Sequence, residues 1–515
     1  MDLTRAVREA LARLSERPGV REVEVFAALN RSLLTRLNYT SHIPCNGVEE
    51  PKSTEMSGLG VHAVFDGPDG KPLVGFGSEP SDLTTDGALR ALDKARQAAV
   101  HDPEFRSLPR PGPARRALVD YHDPQLMDIS DLALVEAGWK VITGGLRAFM
   151  ASSRLAALVP GEADLKRLGL ILGGDVTIEQ TRIAIASTAM PEPQPDDSTF
   201  MSASITAMVE ARDAKGSGWS VCMRLEHFTD EAGGEAAANA VAAIDGARVP
   251  TGDYTIVFGP QPVADLCNNL IIPSCQAGSF YASSTPFLGQ LDRMVAAPAL
   301  SIYDHGAMPG LAGSRGITCE GLPTGRTDLI RDGRLVGLLS HWYETQRLLH
   351  DLRAREKLGI DPAAAVAALT PRNGFRYDGA GRSFEATAGT SASNVIVEGA
   401  DPVSLDELIA RVRDGLYVGR IWYTYPINGL RAGDFTCTVV GDSFIIRDGR
   451  ITAPLLANTI RINDNVTRLL GAIVGTTKDA RGTMVWGADE VVYAPSIAVT
   501  GVHADAIAGF AEGLD

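Results

Sequence analysis

Cysteine is scarce in this chain. Six are spread through 515 residues, at Cys45, Cys222, Cys267, Cys275, Cys319 and Cys437, and no two form a CxxC pair. A disulfide framework needs denser usage in a shorter chain, so the sequence predicts reduced thiols in a cytoplasmic protein. Long apolar runs are missing too. None approaches the roughly 18 to 20 residues of a membrane span. The first residues, MDLTRAVREALARL, mix charges through their apolar positions and do not read as a signal peptide. Positive charge is in deficit: 48 Lys and Arg stand against 63 Asp and Glu, a net charge of −15. Such a chain gains no counterion-release energy on a polyphosphate, so neither nucleic acid nor a membrane surface is an expected partner. The one dense basic stretch, Arg110 to Arg116, lies in a proline-rich segment and reads as a solvated linker.

Familiar catalytic signatures are absent as well. There is no GxxxxGK[ST], no strand–GxGxxG–helix unit, no GxSxG and no HExxH. The histidines form no obvious pair on one helical face. His341 and Glu344 are three apart, and His341 reads as a polar cleft or surface residue rather than a ligand. His42 and Cys45 have ligand-like spacing, but without a second pair chance explains it better.

What is present is a mixed pattern rich in turns, with 53 glycines and 29 prolines. Leu3, Val7, Leu11 and Leu14 mark an opening helix. Strands are expected at Val20–Leu29, Ser32–Thr40, Gly58–Phe65 and Leu73–Gly77, then a helix over Ser81–Val100 capped by Thr84 or Thr85. The proline-rich Asp102–Pro113 is expected to be extended and poorly suited to regular structure. A second unit holds a long helix over Ile129–Ser152, strand-like runs at Leu155–Leu158, Leu168–Leu172, Val176–Ile185 and Ser202–Val209, an exposed loop at Pro191–Asp197, and a helix over Ala232–Ile244. The rest is strand-rich, with candidates at Thr255–Phe258, Leu300–Tyr303, Arg326–Ile330, Arg334–Leu339, Asn394–Val397, Phe435–Ile446 and Ile451–Ala453. Two IRDGR segments are hairpin signals. Helices are expected over Val263–Ile272 and Ser404–Gly415. The reading is α+β, with N-terminal α/β units over 1–105 and 114–245 and a β-rich C-terminal domain over 246–515.

Five blocks in order resemble the TldD/PmbA (TldE) family, the modulator-of-gyrase-like peptidases. They are GLGVHAVFD followed by LVGFGSEPSDLTTDGALRALDKARQAA; DVTIEQTRIAIASTAM; CEGLPTGRTDLIRDGRLVGLLSHWYETQRL; SASNVIVEGADPVSLDELIARVRDGLYV; and GDFTCTVVGDSFIIRDGRITAPL. The resemblance implies a TldD/PmbA-like fold and a two-subunit protease. TldD-like subunits carry a His-Glu-x-x-x-His motif and a late cysteine as metal ligands, and PmbA/TldE-like subunits lack them. Here the motif helix corresponds to Val263–Ile272. The two ligand histidines fall at Asn268 and Pro273, the general-base glutamate at Asn269, and the cysteine near Arg481. Proline has no lone-pair nitrogen and an asparagine amide is a poor zinc ligand. Asn269 cannot take a proton at neutral pH, so metal-water activation fails too.

The resemblance thus implies a TldE/PmbA-like subunit of a TldD/TldE-type metalloprotease, with no catalytic residue, metal or cofactor of its own. Zinc or another divalent metal is expected in a TldD-like partner, with which it pairs as a heterodimer, or it pairs with itself. The implied role is proteolysis of unfolded peptides or maturation of a peptide natural-product precursor. A stand-alone metal-free enzyme and a peptide-binding or scaffold protein are the alternatives. Asn268 and Asn269 lie off the apolar stripe of Val263, Leu266, Cys267, Leu270 and Ile271, as exposed or capping residues or as cleft residues. The run Trp422–Phe435 could offer a sheet edge to an extended peptide. Tyr423, Tyr425 and Asn428 then face substrate, unless they pack in the core or at a dimer interface. His341 and Tyr343 complete the candidate cleft.

Overall fold

A computed structural model describes residues 2–38, 47–112, 118, 121–377 and 381–508. His42 and Cys45 lie outside the described residues, as does part of the Arg110–Arg116 stretch.

The N-terminal half is built on one sheet. Its strands are β1 (Val20–Leu37), β2 (Val48–Asp66), β3 (Pro72–Pro80), β4 (Leu170–Ser187), β5 (Gln194–Val209) and β6 (Ala214–Cys222), in the order β3-β2-β1-β4-β5-β6. The central β1–β4 pairing runs from Glu24 opposite Ser187 to Leu37 opposite Gly174. It joins the strands of the first two sequence units. The two expected strands Val20–Leu29 and Ser32–Thr40 are therefore one. The polar Asn30–Arg31 between them does not break it, because Asn30 is buried and its Nδ2 donates to the Arg382 carbonyl at 2.9 Å.

Strand alternation sorts the side chains into two layers. On β1, Val23, Val25, Ala27, Leu33 and Leu37 face helices. These are α1 (Leu3–Ser15) and α2 (Thr85–Ala98, capped by Thr84) towards one end, α3 (Asp131–Met150, capped by Ser130) and α4 (Glu231–Ala242) towards the other. Phe26 and Ala28 face the opposite way, onto Ile317, Cys319, Phe375 and Phe384 of the C-terminal half. Leu155 belongs to a helical turn, Ser153–Ala156, and not to a strand. Ser152 caps it by accepting from the Leu155 N–H at 3.2 Å. Pro191–Asp197 is only partly an exposed loop, because β5 starts at Gln194 and Asp196 is buried in an ion pair with Arg382 at 2.6 Å. A residue so far away in sequence leaves no local signal.

The C-terminal half packs two sheets around a common core. One has six strands, among them Leu300–His305, Arg326–Arg331 and Asn394–Gly399. The other has nine and begins at an edge formed by Arg420–Pro426, followed by Asp434–Gly441. Both IRDGR hairpins form, with Asp332 and Gly333, and Asp448 and Gly449, at positive φ. Phe435–Ile446 is two strands, Asp434–Gly441 and Phe444–Arg447, interrupted at Asp442 where φ is 51°. Only Arg334–Leu335 of the expected Arg334–Leu339 is a strand. The helix Leu405–Val412 stops short of Gly415, which opens the strand Gly415–Val418. Among the described residues no helix is long and apolar enough to cross a membrane.

The segment after α2 has no regular structure up to Gly112, as expected, yet it is not a solvated linker. Leu108 is fully buried. Trp342 Nε1 donates to the Ser107 carbonyl at 2.9 Å, the Leu108 N–H to Glu22 at 3.0 Å, and Arg110 pairs with Glu22. The segment is a strap that ties the first sheet to the C-terminal half.

Candidate functional site

Strand Gly252–Phe258 turns at Gly259 into the helix Pro260–Leu266, whose first residue is a proline with φ already set for a helix. The helix then widens into a π turn, Cys267–Ile271, before closing at Ile272–Ser274. Pro273 explains the widening. It has no N–H for the Asn269 carbonyl, and the Ile272 N–H reaches back five residues to the Cys267 carbonyl. With that spacing, positions 268 and 273 fall one above the other. The stripe Val263, Leu266, Cys267, Leu270 and Ile271 is buried in the core, as its spacing implies.

Asn268 and Asn269 are neither exposed nor capping; both are half-buried. Asn269 Nδ2 donates to the Asp265 carbonyl at 3.0 Å and to Asp265 Oδ1 at 3.2 Å. One turn earlier, Gln261 Nε2 donates to Asp265 Oδ2 and to the Ile421 carbonyl, both at 3.3 Å. Gln261 Oε1 accepts the Ile421 N–H at 3.0 Å. Residues 261, 265 and 269 thus form a polar row, and its first member clamps the edge strand Arg420–Pro426 through both backbone groups of Ile421. Burial pushes the Asp265 carboxyl up to about 6.

The metal expected of a TldD-type site has no donor set on this helix. Asn268, Asn269 and Pro273 offer one committed amide, one weak amide and no nitrogen lone pair. Arg481 is held elsewhere: it pairs with Glu235, donates to the Trp219 carbonyl, and lies 4.3 Å over the Trp219 ring. Among the described residues no group of three or more His, Cys, Asp or Glu is placed to hold a metal ion. The residues present do not fit the group.

A groove runs between β6 and the edge strand Arg420–Pro426, with a cavity volume of about 290 Å3 in its larger part. Trp219, Gln261, Arg420, Trp422 and Trp486 line it, and Lys215, Tyr423 and Asp442 continue it. Trp486 is 84% exposed and its ring lies 6.4 Å from that of Trp422. Tyr423 and Tyr425 are 69% and 54% exposed. Tyr423 has a φ of 56° at an irregularity in the pairing between Trp422 and Tyr425. Asn428, also exposed, donates to Asp434 at 3.1 Å across the turn. The opposite wall, β6, is occupied along its outer edge. Ser217 donates its N–H to Asp442 and accepts from Asn239, while Trp219 donates to Glu235 and accepts from Arg481.

His341 and Tyr343 stand apart from the groove, in a cavity under the strap that also holds Glu24, His62, Glu320 and Arg376. His341 is buried, its Nδ1 lies 2.9 Å from Thr390 Oγ1, and burial pushes it down to about 4. Tyr343 OH donates to Asp102 at 2.9 Å. The seven candidate residues therefore occupy three places: the helix, the edge strand and its following turn, where Tyr423 alone lines the groove, and the strap cavity. Sequence reasoning missed Gln261, Trp219, Trp486, Glu320 and Arg376. The exposed tryptophan in MVWGAD was the one local signal among them; the others act through partners distant in sequence.

Residues 251–505 match the family described as PmbA/TldA metallopeptidase C-terminal domain. A stretch of 189 residues is 28% identical to a metalloprotease of Synechocystis sp., covering 37% of this chain and 34% of that relative, about a third of its length. The fold is that of TldE from Thermococcus kodakarensis, with a TM-score of 0.76 over 97% of this chain and all of the other, at 16% identity. It is also that of a proposed modulator of a DNA gyrase from Thermotoga maritima, with a TM-score of 0.71, 17% identity, and 97% and 99% of the two chains covered. Residues 251–505 thus belong to the PmbA/TldD family as its C-terminal domain, and the first sheet and helices joined to them share the fold of these solved structures.

Proposed function

We propose that this chain is the TldE/PmbA-like, metal-free subunit of a TldD/TldE-type metalloprotease complex. It works in peptide proteolysis or in maturation of a peptide precursor, beside a partner that carries the metal. One observation carries the reading: a TldE-like fold keeps the motif helix but gives its polar row to structure. Gln261, Asp265 and Asn269 support the edge strand and present no ligand set. The groove supports the substrate half of the reading. It is elongated and rimmed by exposed aromatic side chains, which gain contact area at low entropic cost. Gln261 already occupies Ile421, so an extended peptide would pair only with the strand beyond it, near Tyr423 and Tyr425.

The test is to purify the chain alone and together with a TldD-like protein, then measure bound metal and peptide cleavage. Metal and cleavage are expected only with the partner, and cleavage should rise when this chain is added. Stoichiometric metal or cleavage in the isolated chain would overturn the reading. Undiminished cleavage by the partner alone would remove the role in the complex. Replacing Asn268 and Asn269 with alanine together should leave assembly intact.

A further inference from the structure

The cavity beneath the strap has no part in that function and is built unlike the groove. Its volume is about 190 Å3, space for on the order of a dozen waters. Separate stretches of both halves meet around it. β1 contributes Glu24, β2 contributes His62, the strap contributes Asp102 and Ser107, and the C-terminal half contributes Glu320, His341, Tyr343 and Arg376.

The charges do not balance by pairing. Among the described residues Arg376 is the one cation lining the cavity, and its Nη2 is bound to Glu24 in an ion pair with both partners buried. Its remaining donors, Nε and Nη1, are buried without hydrogen-bond partners, and the guanidinium lies over the Phe26 ring at 4.4 Å. They therefore present nothing to a ligand. Glu320 is buried and has no cation of its own. Its two oxygens share a single donor, the Trp342 N–H, at 3.2 and 3.0 Å. Asp102 accepts from Tyr343 OH and the Glu104 N–H. Among the described residues His62 has no hydrogen-bond partner, and burial pushes it down to about 4, so both imidazoles are neutral at physiological pH; with His341 Nδ1 donating to Thr390, each offers a ring-nitrogen lone pair. The polar lining is thus rich in acceptors and short of one positive charge.

We infer that this cavity is a binding site for a primary ammonium group, taken between Glu320 and the His62 and His341 imidazoles, with the carboxylates of Glu24 and Asp102 adding to the attraction. An ammonium offers three donors and one charge, which is what the lining lacks. Burial holds the Glu320 carboxyl protonated up to about 8. A bound cation favours the ionised form, so binding near neutral pH should expel about one proton. The ammonium has two possible sources, a free small amine or the N-terminus of a peptide entering beneath the strap.

The test is calorimetric titration of the full chain at pH 7 with glycinamide, with trialanine amide and with N-acetyl trialanine amide. Each titration is repeated in buffers of different ionisation enthalpy to count protons. The expected result is binding of the free amines with about one proton released, and none for the acetylated peptide. Glu320→Gln should weaken binding roughly ten-fold or more, since it removes a charged acceptor. His62→Phe should weaken it less, and it keeps the readout if the first variant folds poorly. Tighter binding of trialanine amide would assign a peptide N-terminus, and equal binding a small amine. No binding of either amine at millimolar concentration overturns the inference, as does equal binding of the acetylated peptide. Neither outcome depends on a partner subunit or on cleavage, so the peptidase reading stands or falls separately.

Discussion

The first sheet meets the C-terminal half along two very different seams. At the groove, Trp486 stands exposed to solvent, and Asp442, Glu235 and Arg481 engage the backbone of β6. At the strap cavity, ionisable groups are buried or half-buried, and among the described lining residues one ion pair is complete. The groove resembles a contact surface, in which aromatic area and blocked edges determine what can lie there. The cavity resembles a reserve of unmet electrostatic demand, which costs stability in the unliganded chain and rewards a ligand of the right charge. A seam can thus be shaped for contact or charged for binding, and this protein does one at each end of the same interface.

The contrast can be tested from its strongest point downwards. Arg376→Met leaves Glu24 buried without its partner and should cost about 3–5 kcal/mol, read by chemical denaturation. Adding Glu24→Gln should recover a large part of that loss; no recovery would mean that Arg376 acts mainly through its packing on Phe26. Next comes pH. Glu320 keeps its proton in the folded state up to about 8 but loses it near 4.5 when unfolded. The folded state then binds more protons across that window, so stability should fall as pH rises from about 4.5 to about 8, by up to ~1.4 kcal/mol per unit. In Glu320→Gln this contribution should vanish, and an unchanged slope would place the titration elsewhere. Gln261→Ala should cost about 1–3 kcal/mol, because both backbone groups of Ile421 lose their partner. It should also speed hydrogen exchange at Ile421. Trp486→Ala should be the smallest in stability, within about 0.5 kcal/mol. It should nonetheless weaken binding of an extended peptide; unchanged affinity would remove the groove as a contact surface.

Much of the fold was legible where its causes are local. Thr84, Ser130 and Ser404 cap the helices they precede in sequence, and the two IRDGR segments close hairpins, since caps and tight turns are satisfied within a few residues. The apolar stripe of the motif helix was also readable from its spacing. What escaped depends on distant partners. The continuity of β1 through Asn30 needs the Arg382 carbonyl. The burial of Asp196 needs the Arg382 side chain. The role of Gln261 needs Ile421. The site suffered most from this. His341 and Tyr343 belong to a cavity assembled from stretches far apart in the chain, and neither Glu320 nor Arg376 carries a motif of its own.

The pairing of β1 with β4 also sets a schedule for synthesis. Some 130 residues separate Leu37 from Leu170. At roughly 5–20 residues per second, β1 leaves the ribosome about 7 to 26 seconds before its central partner begins to appear. Through that interval the hairpin of β1 and β2 displays a long, largely apolar edge with nothing beside it. The nascent chain is therefore most exposed to aggregation early in translation, and slowing synthesis between α2 and β4 should lower the yield of soluble protein more than slowing it later.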